Sequence, residues 1–145
     1  MQPNPDLENA MWAHLGPILM SGAAALLFPL GFCLWIPPLV IRNSEAAVRT
    51  PYVRQQATQA LNCALTSLLV GIPLLAAAAG LGLFGILGTS GTATVVLVVV
   101  AVLLVLLSSG MDFARFVYAV IACSRAREGQ PFAYPRLLAF PLIRP

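Results

Sequence analysis

The sequence predicts an all-α integral membrane protein: a small helical bundle of three long transmembrane segments, the first kinked or broken, with a C-terminal tail lying on the membrane surface. Three observations carry this. No charged residue occurs from Gln55 to Met111, a run far longer than the roughly 20 residues that cross a bilayer once. A second uncharged, apolar stretch runs from Leu15 to Ile41. The 145 residues are 59% hydrophobic and 9% charged, whereas a water-soluble domain carries about a quarter charged residues. A single transmembrane domain over 1–145 follows, with spans near 12–41, 57–87 and 93–123 and an interfacial tail at 129–145.

Asn4-Pro5-Asp6-Leu7-Glu8 has the marks of a helix start: a capping amide, proline in the first turn and acidic residues beside the positive end of the helix dipole. Trp12 and His14 follow at the boundary between polar and apolar sequence, where an aromatic ring with a polar tip sits well among head groups. His14, the only histidine, is expected to act as a hydrogen-bonding anchor. Pro29, Gly31, Pro37 and Pro38 interrupt the rest of this segment. It is either one kinked span or a re-entrant pair of short helices; the kinked span is preferred, since Phe32–Ile41 is too short to cross alone.

The second span has two countable faces. Ala57, Ala60, Ala64, Ser67, Gly71, Ala78, Gly82, Gly85 and Thr89 recur at spacings of three and four, interrupted once by Leu75, a groove of small residues that lets another helix approach closely. Gln55, Gln59, Asn62 and Thr66 form a polar stripe that should face protein, because an amide in hydrocarbon is costly without a partner. Pro73 is expected to kink this helix. Gly88-Thr89-Ser90-Gly91 marks the reversal into the third span.

The third span opens with a valine- and leucine-rich run, Thr94–Leu107, that should meet lipid. Ala101, Ser108, Asp112, Arg115, Ala119, Ala122 and Ala126 then share one face. If the helix leaves the membrane near Arg125, Asp112 lies about 13 residues, or roughly 20 Å, inside. Asp112 and Arg115, one turn apart, are expected to point into the bundle, either as a neutralising pair or as part of an ion path. With Asn62, Gln59 and Thr66 they make the candidate intramembrane polar site.

Charge distribution sets orientation. Arg42, Arg49 and Arg54 lie between the first and second apolar segments, and Arg125, Arg127, Arg136 and Arg144 follow the third. Arginine-rich segments stay in the cytoplasm. The expectation is a cell-membrane protein with its C-terminus cytoplasmic and its N-terminus outside. The same arginines can attract anionic lipid head groups by roughly 1 kcal/mol each. A nucleic-acid role lacks any extramembrane domain to present a basic face. Cys33, Cys63 and Cys123 have no paired spacing and read as small buried hydrophobes, so neither a metal nor another cofactor is expected. The acidic leader does not resemble a cleaved signal peptide.

No nucleophile and base set, phosphate-cradling glycine loop or carboxylate pair is visible, which argues against an enzyme. The expected function is that of a non-catalytic accessory or scaffold subunit. It would pack through Ala60, Ala64, Gly71, Gly82, Gly85, Ala119 and Ala122 against other membrane subunits or a second copy.

Three separated pieces carry a family resemblance. Ala10-Met11-Trp12-Ala13-His14-Leu15, then Thr50-Pro51-Tyr52-Val53 leading to Ala60-Leu61-Asn62, then Arg125-Ala126 with Gly129 and Tyr134-Pro135 resemble motifs of small bacterial membrane proteins distantly related to Tic-twenty, the chloroplast inner-envelope import component. Gln56 stands where that family commonly carries histidine, and Cys63-Ala64 where it has Phe-Gln. The resemblance implies a helical membrane protein and, as the alternative function, a pore or translocation component.

Overall fold

The computed structural model describes residues 4–26 and 34–144. Among these residues all regular structure is helical: α1 (Pro5–Leu26), α2 (Ile36–Arg42), α3 (Glu45–Arg49), α4 (Pro51–Thr66), a π-helical turn (Ser67–Gly71), α5 (Ile72–Gly88) and α6 (Thr92–Arg127). Pro29, Gly31, Phe32 and Cys33 lie outside the described residues.

Local chemistry places the helix ends. The Asn4 carboxamide oxygen accepts from the Asp6 amide at 3.0 Å, so α1 starts where an asparagine cap precedes proline. Pro37 and Pro38, expected as breakers, instead open α2, where a missing N–H costs nothing. Thr50 is extended because Pro51 follows it, and Pro51 then begins α4. Pro73 falls just after the π-helical turn, whose wider coil accommodates a residue that can neither donate nor clear the preceding carbonyl. Gly129 stops α6. Its φ is +70°, and Gly129 and Gln130 donate to the Ala126 and Arg125 carbonyls at 3.1 and 2.9 Å, a Schellman closure.

Two continuous helical stretches are long and apolar enough to cross a membrane: Pro51–Gly88 with mean hydropathy 2.2 and Thr92–Arg127 with 2.7. Only 11% of the apolar window of each is buried, whereas the core helix of a water-soluble fold would be mostly covered. The expected third long span, over 12–41, is described only in part: α1 covers Pro5–Leu26 and α2 opens at Ile36, with 27–33 outside the described residues.

The chain forms two units. Unit 2, Ser67–Ala114, is a helical hairpin. A Cβ on Gly85 would stand 2.9 Å from that of Leu97, and one on Gly82 would stand 3.5 Å from that of Ala101, so the helices meet over glycine. At the turn the Thr89 hydroxyl donates to the Gly85 carbonyl at 2.9 Å and lies 3.1 Å from the Thr94 hydroxyl. Val95, Val99, Leu103 and Leu106 are each more than half exposed, as a lipid-facing run requires.

Unit 1 comprises residues 1–66 and 115–145, the two ends of the chain. Here α1, α2 and α4 pack on one another. Ala13, Ala57 and Ala60 form one apolar cluster against Ile41; Cys63, Ala122, Phe132, Tyr134 and Ala139 form a second against Tyr118. The tail, anticipated as a surface-lying segment, buries Phe132, Tyr134, Leu138 and Ala139 in this unit.

Candidate functional site

The polar side chains of α4 converge on the tail. Asn62 Nδ2 donates to the Ile143 carbonyl and the Ile143 amide donates to Asn62 Oδ1, both at 2.9 Å. One side-chain amide thus pairs with a peptide as a neighbouring strand would. A turn further on, Thr66 Oγ1 donates to the Asn62 carbonyl at 2.7 Å and accepts from the Phe140 amide at 2.9 Å. Asn62 and Thr66 were expected to seek protein because hydrocarbon would not satisfy them. The partner they find is the backbone of their own chain.

A second cluster joins three distant stretches. The His14 ring lies between Gln56 of α4 and Tyr134 of the tail, with Nε2 3.0 Å from Gln56 Oε1 and Nδ1 3.0 Å from the Tyr134 hydroxyl. With an amide oxygen facing Nε2, that nitrogen carries the proton and donates, leaving Nδ1 to accept from Tyr134. His14 is 1% exposed and Gln56 fully buried, so the His14 ring makes its hydrogen bonds in the interior of unit 1. Gln56 Nε2 is buried and makes no hydrogen bond among the described residues, which leaves the amide held from one end. Phe132 closes the cluster, edge-on to Tyr134 at 5.1 Å between centroids and edge-on to His14 at 6.3 Å. Arg125 lies over the outer side of Phe132 at 5.8 Å. Burial pushes the Tyr134 hydroxyl well above the ordinary tyrosine range, with smaller contributions from Cys63 and Cys123, so it remains a neutral donor.

The remaining candidate residues are dispersed. Gln59 is half-buried and Gln55 exposed. Arg115 is buried in unit 1 at 7% exposure. Asp112, expected to point inward beside it, is exposed and belongs to unit 2. The buried face of α6 in unit 1 (Arg115, Ala119, Ala122 and Ala126) begins one turn beyond it. Of the packing residues, Ala60, Ala64, Ala119 and Ala122 are buried within unit 1, whereas Gly71 has nothing within 4 Å of where a Cβ would stand. Cys63 and Cys123 form no disulfide with each other, and no group of three or more metal-ligating His, Cys, Asp or Glu residues occurs among the described residues.

These polar residues hold the tail against α1 and α4. Sequence reasoning missed Gln56 as a partner of His14 and Tyr134 as the other. Neither has a spacing signal, because 42 and 120 residues separate them from His14.

Residues 6–143 match the family described as magnetosome magnetite crystal formation proteins, MamF/MmsF. The chain belongs to that family. No curated protein and no solved structure matches it. The match spans nearly the whole chain and overturns the resemblance to Tic-twenty relatives, which rested on a few short motifs. In this MamF/MmsF chain those motifs do general structural work: Thr50-Pro51 starts a helix, Gly129 stops one, and His14, Asn62 and Tyr134 fasten the tail. With that resemblance goes the pore or translocation reading it supported.

Proposed function

We propose that the chain is a non-catalytic accessory protein of the membrane in which a magnetite crystal forms, acting through helix contacts with other membrane subunits or with a second copy. Family membership supplies the setting. The observation that carries the mode of action is the open glycine surface of unit 2. A Cβ on Gly80 or Gly110 would meet nothing within 4 Å, and both residues are exposed. Two helices with apolar faces, bare of side chain at these points, allow the close approach by which helices associate in lipid. The polar groups of unit 1 support the same reading, since His14, Asn62 and Thr66 are already engaged with Tyr134, Ile143 and Phe140. The exposed Arg49, Arg54, Arg125, Arg127 and Arg136 face the cytoplasm on this reading, where they meet anionic head groups.

The test replaces the chromosomal copy with Gly80→Leu and Gly110→Leu in a magnetite-forming cell. Leucine has room at both positions in the single chain, so the protein should accumulate normally. Its complexes in gentle detergent should shrink and the crystal size distribution, measured by electron microscopy, should shift. Unchanged complexes together with unchanged crystals would remove the helix-contact mechanism.

A further inference from the structure

Three contacts fix where the first apolar segment begins and ends. The Thr50 hydroxyl donates to Asp6 Oδ2 at 2.7 Å, Arg127 Nε reaches Met11 Sδ at 3.0 Å, and a Cβ on Gly16 would stand 2.5 Å from that of Pro37. All six residues belong to unit 1. Groups in contact cannot lie on opposite sides of a hydrocarbon layer roughly 30 Å thick. Between Asp6 and Thr50 the chain therefore makes no net crossing, although no charge interrupts it from Leu15 to Ile41.

We propose that the legs 17–26 and 34–37 enter and leave a single leaflet, the one on the arginine-rich side, so that the N-terminus shares that side with the C-terminus. The ten residues of α1 beyond Gly16 reach about 15 Å at 1.5 Å per residue, half of the hydrocarbon thickness. Their depth suits acyl chains of one monolayer, and so do their surfaces: Leu19 is 56% exposed and Ile36 38% exposed. Trp35 stands half-buried two residues before Pro37, at the outer end of the second leg, where an indole bridges acyl chains and head groups. Exposed Arg49 closes α3 and exposed Arg54 lies in the first turn of α4, placed to meet the head groups of that same leaflet. As it enters, α1 satisfies its own peptide groups through the helical hydrogen bonds of Pro5–Leu26.

This orientation replaces the expectation of an N-terminus outside the cell. The charge rule is read from Lys and Arg, and the leader has neither; Asp6 and Glu8 weigh little in it. The leader had been placed by counting three spans. A segment that returns to the side it left changes that count by one.

The experiment uses the full chain with one epitope ahead of Met1 and another after Pro145, in sealed vesicles of either orientation. Protease should remove both epitopes from inverted vesicles and neither from right-side-out ones. Removal of the N-terminal epitope from right-side-out vesicles overturns the proposal. Because an added epitope can disturb insertion, an untagged Asp6→Cys, Thr50→Cys pair provides a second measurement. A short bifunctional maleimide should cross-link it at least about tenfold more efficiently than a Thr50→Cys, Ser90→Cys pair. Equal yields from the two pairs overturn the proposal as well.

Discussion

The side-chain amide of Asn62 grips Ile143 by both its N–H and its C=O, at 2.9 Å each, across 81 residues of sequence. No alanine or leucine on α4 could substitute, because the Ile143 peptide offers one donor and one acceptor that only a carboxamide answers together. Removing the amide with Asn62→Ala should cost about 1–3 kcal/mol, two hydrogen bonds at roughly 0.5–1.5 kcal/mol each. Limited trypsin digestion at Arg136, which precedes Leu137, should accelerate accordingly. Digestion at the wild-type rate would show that the clamp contributes little to holding the tail.

Tyr134 makes the stability of unit 1 sensitive to alkali. Its folded-state value is raised by burial, so the folded protein keeps the phenolic proton after the unfolded chain, near pH 10, has begun to lose it. The stabilisation is fully present below pH 10 and declines as the pH rises beyond it. Thermal unfolding in detergent should show the wild type losing stability between pH 10 and 11 more steeply than Tyr134→Phe. At pH 7 the phenylalanine variant should already be weaker by about 1–2 kcal/mol, since His14 Nδ1 then lacks its donor.

Glycines in this chain divide into those that cannot be replaced and those that can. Gly129 sits at φ +70°, and Gly129→Ala should destabilise unit 1 by about 1–2 kcal/mol. Gly110, in mid-helix with open space around it, should instead gain up to about 1 kcal/mol in Gly110→Ala. Opposite shifts in melting temperature are expected. Shifts of the same sign would contradict the helix-stop geometry.

Within the hairpin, Gly85→Ala should be worse than Gly82→Ala. The added methyl would be 2.9 Å from Leu97 Cβ at the first position, and at an ordinary 3.5 Å from Ala101 Cβ at the second. A difference of about 1–3 kcal/mol is expected from overpacking, readable as a lower unfolding temperature for Gly85→Ala alone.

Much of this architecture was legible in composition and local chemistry. The uncharged run from Gln55 to Met111 announced the hairpin, Gly88–Gly91 its reversal, and Asn4-Pro5 the start of α1, because each signal is confined to a few neighbouring residues. The need of Asn62 and Thr66 for protein partners was equally readable from their desolvation cost. Their actual partners were not, since any backbone amide in the chain could have served. The same limit hid Gln56 and Tyr134 beside His14. Asp112 is exposed although helical spacing puts it in register with buried Arg115, because spacing does not tell which side chains along α6 are covered.

Unit 1 draws its parts from the first and last stretches of the polypeptide, with the hairpin between them. During synthesis, then, His14, Gln56 and Asn62 leave the ribosome long before Tyr134 and Ile143 exist to receive them. The hairpin must be delivered to lipid while its flanking unit is still open, and a nascent chain stalled short of residue 134 would display unsatisfied amides and an imidazole. Quality-control proteases would have an obvious mark by which to tell an unfinished copy from a finished one.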